Sequence, residues 1–153
     1  LESLQEIARR YQIPDGILEL ELTESVFFDD QSIEHMKTQI QEMHRMGFRC
    51  SLDDFGAGYS SLGLLMEFDV DTIKLDRRFF LDVSKPKARY VVESIVDLAR
   101  KIGARTIGEG IETDEQLEFL RHARCDMVQG YIYSRPVPIQ EFEAWKEGRV
   151  VER

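Results

Sequence analysis

The chain has 153 residues, 42% of them hydrophobic and 10% aromatic, enough to bury a core but no more than one ordinary domain. Its 29 acidic residues outnumber 20 basic ones for a net charge of −9, which argues against a nucleic-acid polymer or an anionic membrane as partner and makes a cation the more natural guest. No apolar run approaches the ~18 residues of a membrane span and no charged-then-apolar leader opens the chain. The expectation is therefore a cytoplasmic segment without membrane contact, any anchor belonging to other domains of a parent protein.

In chain order, Leu1 to Gln12 reads as a helix closed by the turn Ile13-Pro14-Asp15-Gly16, and GILELEL, Gly16 to Leu22, as a strand running into Thr23. Ile33, Met36, Ile40 and Met43 recur at helical steps within Gln31 to Met46, and Gly47 supplies the stop. FRCSL, Phe48 to Leu52, is the next strand, Ser60 to Phe68 a helix, and VDTIKL, Val70 to Leu75, a third strand. Val92, Ile95, Leu98, Ala99 and Ile102 stripe one face of a helix over Ala88 to Ile102, before the strand ARTIG, Ala104 to Gly108. Thr113 and Gln116 form a capping box for the helix Asp114 to His122. A short fifth strand, Asp126 to Val128, and a helix over Ile139 to Lys146 complete the pattern.

Regular alternation of strand and helix implies parallel strands with right-handed crossovers, in an open doubly wound sheet or a (β/α) barrel. Five strands do not close an eight-stranded barrel, which takes ~250 residues, so a barrel-like chain of this length is a portion of one. Such folds collect chemistry at the carboxyl ends of their strands. Here those ends carry Glu21 and Glu24, then Asp53 and Asp54, then Lys74, then Glu109 and Glu112, then Gln129.

The adjacent pair Asp53-Asp54, within LDDFGAGYSSL, repels itself unless a cation or proton sits between the carboxylates. Hard oxygen donors suit Mg²⁺ or Mn²⁺, and two such ions sharing a carboxylate are the arrangement used to hydrolyse phosphodiesters. No thiolate or imidazole site competes. Cys50 and Cys125 form no CxxC pair and read as buried small hydrophobes, and His35, His44 and His122 lack the HExxH spacing. Asp54-Phe55-Gly56 matches a kinase magnesium motif, but the chain has no HRD-type loop. A Schiff-base role for Lys74 needs a neutral amine, against which the surrounding acids work.

Five stretches, ELTES at Glu21 to Ser25, DDFGAGYSSL at Asp53 to Leu62, IKLD at Ile73 to Asp76, GEGIET at Gly108 to Thr113 and QGYIYSRPVP at Gln129 to Pro138, resemble the EAL-domain family in order and spacing. The resemblance implies a TIM-type barrel phosphodiesterase that uses Mg²⁺ or Mn²⁺ to hydrolyse cyclic di-GMP to linear pGpG. It also implies that residues 1–153 are the C-terminal portion of a single EAL domain, because the naming Glu-Ala-Leu motif and the following asparagine-bearing strand are not in the sequence. On that basis the fragment alone is expected to be inactive.

By resemblance, Glu21, Asp53, Asp54 and Glu109 ligate metal, with Asp53 bridging and Glu109 alternatively the base. Lys74 contacts the attacking water, and Glu112 joins this catalytic group from just behind the ligands, beside Gln129. Glu24, Gly56, Tyr59 and Ser60 support the loop that places the metal and makes dimer contacts, and Arg135 meets a phosphate or guanine. Ala57 stands where the family commonly has threonine. Implied partners are a second copy of the chain, as a homodimer or larger assembly, and GGDEF or sensory domains in the parent. The alternative is a non-catalytic EAL-type receptor for cyclic di-GMP or a protein-interaction module, a class that typically loses the catalytic acids retained here.

Overall fold

The computed structural model describes residues 1–23, 30–56 and 61–147. Its elements are α1 (Glu2–Arg10), β1 (Glu19–Thr23), α2 (Asp30–Arg45), β2 (Arg49–Phe55), α3 (Ser61–Glu67), β3 (Thr72–Leu75), a 3-10 helix (Arg77–Phe80), α4 (Pro86–Lys101), β4 (Arg105–Gly108), α5 (Asp114–His122), β5 (Met127–Val128) and α6 (Ile139–Lys146). The strands form one parallel sheet in the order β1-β2-β3-β4-β5. That order decides between the two architectures left open by alternation. Right-handed crossovers that always step to the next strand leave every helix on the same face, as in a barrel wall, whereas a doubly wound sheet reverses direction and is covered on both faces. The chain is a partial TIM-type barrel of five strands.

The two faces of the sheet follow from the period of two along each strand. Leu52, Ile73 and Leu75 point to the helices and join a core with Ile40 and Met43 of α2, Val92, Val96 and Ala99 of α4, and Phe119 and Leu120 of α5. Each of these side chains larger than alanine, when fully buried, contributes ~1.5–3 kcal/mol. The other face is polar. It carries Glu19 and Glu21 of β1, Ser51 and Asp53 of β2, Thr72 and Lys74 of β3, and Arg105 of β4, and all of these but Ser51 are linked by hydrogen bonds and ion pairs across the strands. Among the described residues no helix is long and apolar enough to cross a membrane.

Two elements depart from the sequence-based reading. β2 runs on through Asp53 and Asp54 to Phe55 instead of stopping at Leu52, because Phe55 pairs with Leu75 and is 2% exposed in the core. The 3-10 helix after β3 was not anticipated; one turn offers no periodicity to detect. It starts where the Asp76 side chain accepts from the Arg78 backbone N–H, and it drives Phe80 into the core. The capping box of α5 forms as expected, and Gln116 Nε2 also donates to the Phe80 carbonyl, tying α5 to that turn.

Candidate metal centre

The site begins with an irregularity. Leu52 pairs with Ile73 and Phe55 with Leu75, so three steps of β2 are matched to two of β3. The extra residue is accommodated by Asp54 at φ 54°, a left-handed conformation that aspartate tolerates better than most side chains. In a regular strand Asp53 and Asp54 would point to opposite faces. The bulge instead lets both carboxylates gather with Glu109, which follows β4, and one oxygen from each lies within 4.8 Å of the others. Gly56, at φ 92°, follows directly, and a Cβ there would collide with the Phe79 ring, so only glycine lets the chain turn over the 3-10 helix.

Lys74 stands at the centre, its side chain 7% exposed. Its ammonium lies 2.6 Å from Glu21 Oε1, 2.8 Å from Asp53 Oδ1 and 2.9 Å from Glu109 Oε1. Burial alone pulls the lysine pKa down, but contacts with Asp53, Glu21 and Glu109 outweigh it and hold the amine above its ordinary value. That direction favours the charged amine and so works against the Schiff-base chemistry, which needs it neutral. Two of the acids are raised as well, which for a carboxyl favours the neutral form. Burial and then the neighbouring Asp53 and Asp76 raise Asp54, and burial raises Glu109 although the Lys74 contact works against it.

Asp53 Oδ1 is buried with no hydrogen-bond partner among the described residues, so its contact with Lys74 is one of charge without hydrogen-bond geometry. A buried carboxylate oxygen left in this condition is suited to a metal ligand. The donor set around it is all oxygen, which fits a hard divalent cation.

The remaining candidates are dispersed. Glu112 is exposed at the start of the α5 cap, its backbone N–H donating to Gln116 Oε1. Gln129 is exposed after β5, where its backbone N–H reaches the Gly108 carbonyl. The Arg135 guanidinium stacks on Tyr131, 4.6 Å from the ring centroid. Glu24, Tyr59 and Ser60 lie outside the described residues.

The sequence reading passed over a second charged layer beneath Lys74. Glu19 Oε2 accepts from Thr72 Oγ1 at 3.0 Å and from Arg105 at 3.2 Å. The available signal was the alternation in ELEL, which puts Glu19 on the same face as Glu21. His44 lies 2.9 Å from Asp71 Oδ2, and Cys125, expected to be buried, is half-buried with its thiol near the Thr106 and Met127 carbonyls.

The EAL domain family model matches residues 1–136. The chain belongs to the EAL domain family. Among relatives of this EAL chain, the cyclic di-GMP phosphodiesterase NbdA of Pseudomonas aeruginosa is 37% identical over 127 residues, covering 82% of the chain and 16% of the relative. The EAL domain of Mycobacterium smegmatis DcpA superposes with a TM-score of 0.89 at 36% identity, covering 98% of the chain and 67% of that structure. Klebsiella pneumoniae BlrP1, solved as a complex with manganese and cyclic di-GMP, gives a TM-score of 0.79 at 28% identity over 88% of the chain and 34% of that structure. The EAL chain spans 16–17% of the length of the first curated relatives it matches.

Proposed function

We infer that this chain supplies most of a metal-dependent site that hydrolyses cyclic di-GMP to linear pGpG within a complete EAL domain. The observation that carries the reading is the convergence of Asp53, Asp54 and Glu109 beside Lys74, with a buried Asp53 oxygen lacking a hydrogen-bond partner. The phosphodiesterase relative and the manganese complex support it. Glu21, Asp53, Asp54 and Glu109 would hold Mg²⁺ or Mn²⁺, Asp53 between two ions. Bound there, the ions supply a water of lowered pKa and neutralise the phosphate.

The chain's own groups do the rest. Lys74 orients the attacking water and offsets developing negative charge, and Glu109, where it does not ligate an ion, is the base. Glu112 and Gln129 steady the ligands from behind, while Glu24, Gly56, Tyr59 and Ser60 brace the loop after β2. Arg135, its face on Tyr131, keeps its edge donors for a phosphate or guanine.

Residues 1–153 form part of one cytoplasmic EAL domain whose parent chain adds GGDEF or sensory modules. By itself this stretch turns over little, because its described acids gather as a single three-carboxylate group, fewer donors than two ions require. It also self-associates. β1 and β5 are sheet edges, and Phe142 and Trp145 of α6 are exposed.

The test is cyclic di-GMP hydrolysis by the complete domain and by this chain in Mg²⁺, Mn²⁺ or Ca²⁺, with sedimentation of both. Turnover by the domain in the first two ions only is expected. A domain that binds cyclic di-GMP but never cleaves it overturns the enzymatic reading in favour of a receptor.

A further inference from the structure

We propose that Lys74 is the internal cation of the carboxylate cluster, so that a divalent ion binds this chain only in competition with its ammonium group. The proposal rests on the metal reading above and adds a second role for the lysine, exercised before any substrate is present. Glu21, Asp53 and Glu109 come from β1, β2 and the end of β4, and each turns an oxygen to Lys74 Nζ at 2.6, 2.8 and 2.9 Å. The ammonium is thus shared by acids that would otherwise repel one another across the sheet.

Asp53 and Glu109 belong both to this cage and to the group of carboxylates able to hold a metal ion, and a cation held among them repels a second one nearby. Asp53 Oδ1, buried and 2.8 Å from the ammonium, is one of the oxygens whose charge an incoming ion would share with it. A lysine whose only work were to orient water would behave differently: its removal would leave ion affinity unchanged, or lower it by loosening the ligands.

Binding of Mn²⁺, followed by the electron paramagnetic resonance of the free ion at low ionic strength, is compared for the chain and for Lys74→Met and Lys74→Gln. Both variants should bind Mn²⁺ more tightly, by about tenfold or more. In EDTA they should melt below the unsubstituted chain, and the gap should narrow as Mn²⁺ is added. Equal or weaker affinity in the variants overturns the proposal while leaving the metal site standing. No binding by any of the three overturns the proposal, and the metal reading then stands or falls on Mn²⁺ binding by the complete domain.

The unsubstituted chain gives an independent measurement if the variants fold poorly. With ¹⁵N-labelled lysine, the slowly exchanging Lys74 ammonium resonance present in EDTA should shift or vanish on saturation with Mg²⁺. A resonance unmoved at saturating Mg²⁺ counts against competition.

Discussion

Acids stand at both ends of this sheet, and they are used in opposite ways. At the amino end, Asp71 and Asp126 each precede a strand and accept from the backbone of the strand beside it. Asp71 Oδ2 takes the Cys50 N–H at 2.8 Å, and Asp126 Oδ2 takes the Thr106 N–H at 2.8 Å and the Thr106 hydroxyl at 2.9 Å. At the carboxyl end, Asp53, Asp54 and Glu109 face one another and Lys74. The contrast has a simple origin. Where parallel strands begin, unpaired N–H groups satisfy a carboxylate; where they end, the backbone offers carbonyl oxygens, and an acid must find a cation. Position along the strand, more than residue type, separates a structural acid from a candidate ligand.

The largest effect should come from Asp53→Asn in the complete domain, which removes the charge of the ligand proposed to bridge. Hydrolysis of cyclic di-GMP should fall by more than about a hundredfold, beyond the range for groups that merely support a ligand, while thermal stability holds. Near-normal turnover would break the comparison at its functional end. Next, if Lys74 has its proposed role at the attacking water, Lys74→Ala should lower kcat by about a hundredfold or more and move KM far less. A raised KM with kcat intact would reassign the lysine to substrate binding.

The opposite end should show the reverse pattern. Asp126→Ala leaves the buried Thr106 N–H and hydroxyl short of a partner and should cost ~1–3 kcal/mol, a melting-temperature drop of a few degrees, with kcat unchanged. A loss of kcat without loss of stability would erase the distinction between the two ends.

The smallest effect concerns Cys50, which starts beside Asp71 and is fully buried. Burial, followed by the charges of Asp71 and Glu19, pushes its thiol up to about 12 from an ordinary 9.0. Between those values the unfolded chain releases a proton that the native chain keeps, so this contribution to stability is intact below the lower value and declines as pH rises above it. Alkylation of Cys50 at mildly alkaline pH should be slow in the native chain and complete in denaturant. Rapid native alkylation would mean that the amino end of β2 opens far more readily than its packing implies.

Much of this was readable before any coordinates, because local patterns carry local structure. The stripe of Val92, Ile95, Leu98 and Ala99 marks α4, and Thr113 with Gln116 marks the start of α5 within one residue. The gathering of acids at the carboxyl ends was inferable from strand order and fold class. Their geometry was not. The bulge at Asp54 exists because Phe55 must reach the core opposite Leu75, a demand made by β3 and invisible in LDDF itself. The Glu19–Arg105 pair joins residues 86 positions apart, a distance over which no periodicity speaks.

What the sequence determined by itself, then, was the family of elements, the acids and lysine at strand ends, and an all-oxygen site suited to a hard cation. Hydrophobic period, caps and turn residues act over a few positions and need no distant partner. Tertiary structure decided which face each acid takes, that Asp53 and Asp54 share one, and that Lys74 sits against Glu21, Asp53 and Glu109 at once. Those outcomes depend on register between strands, and register is settled only when apolar side chains from separate segments compete for the same buried space.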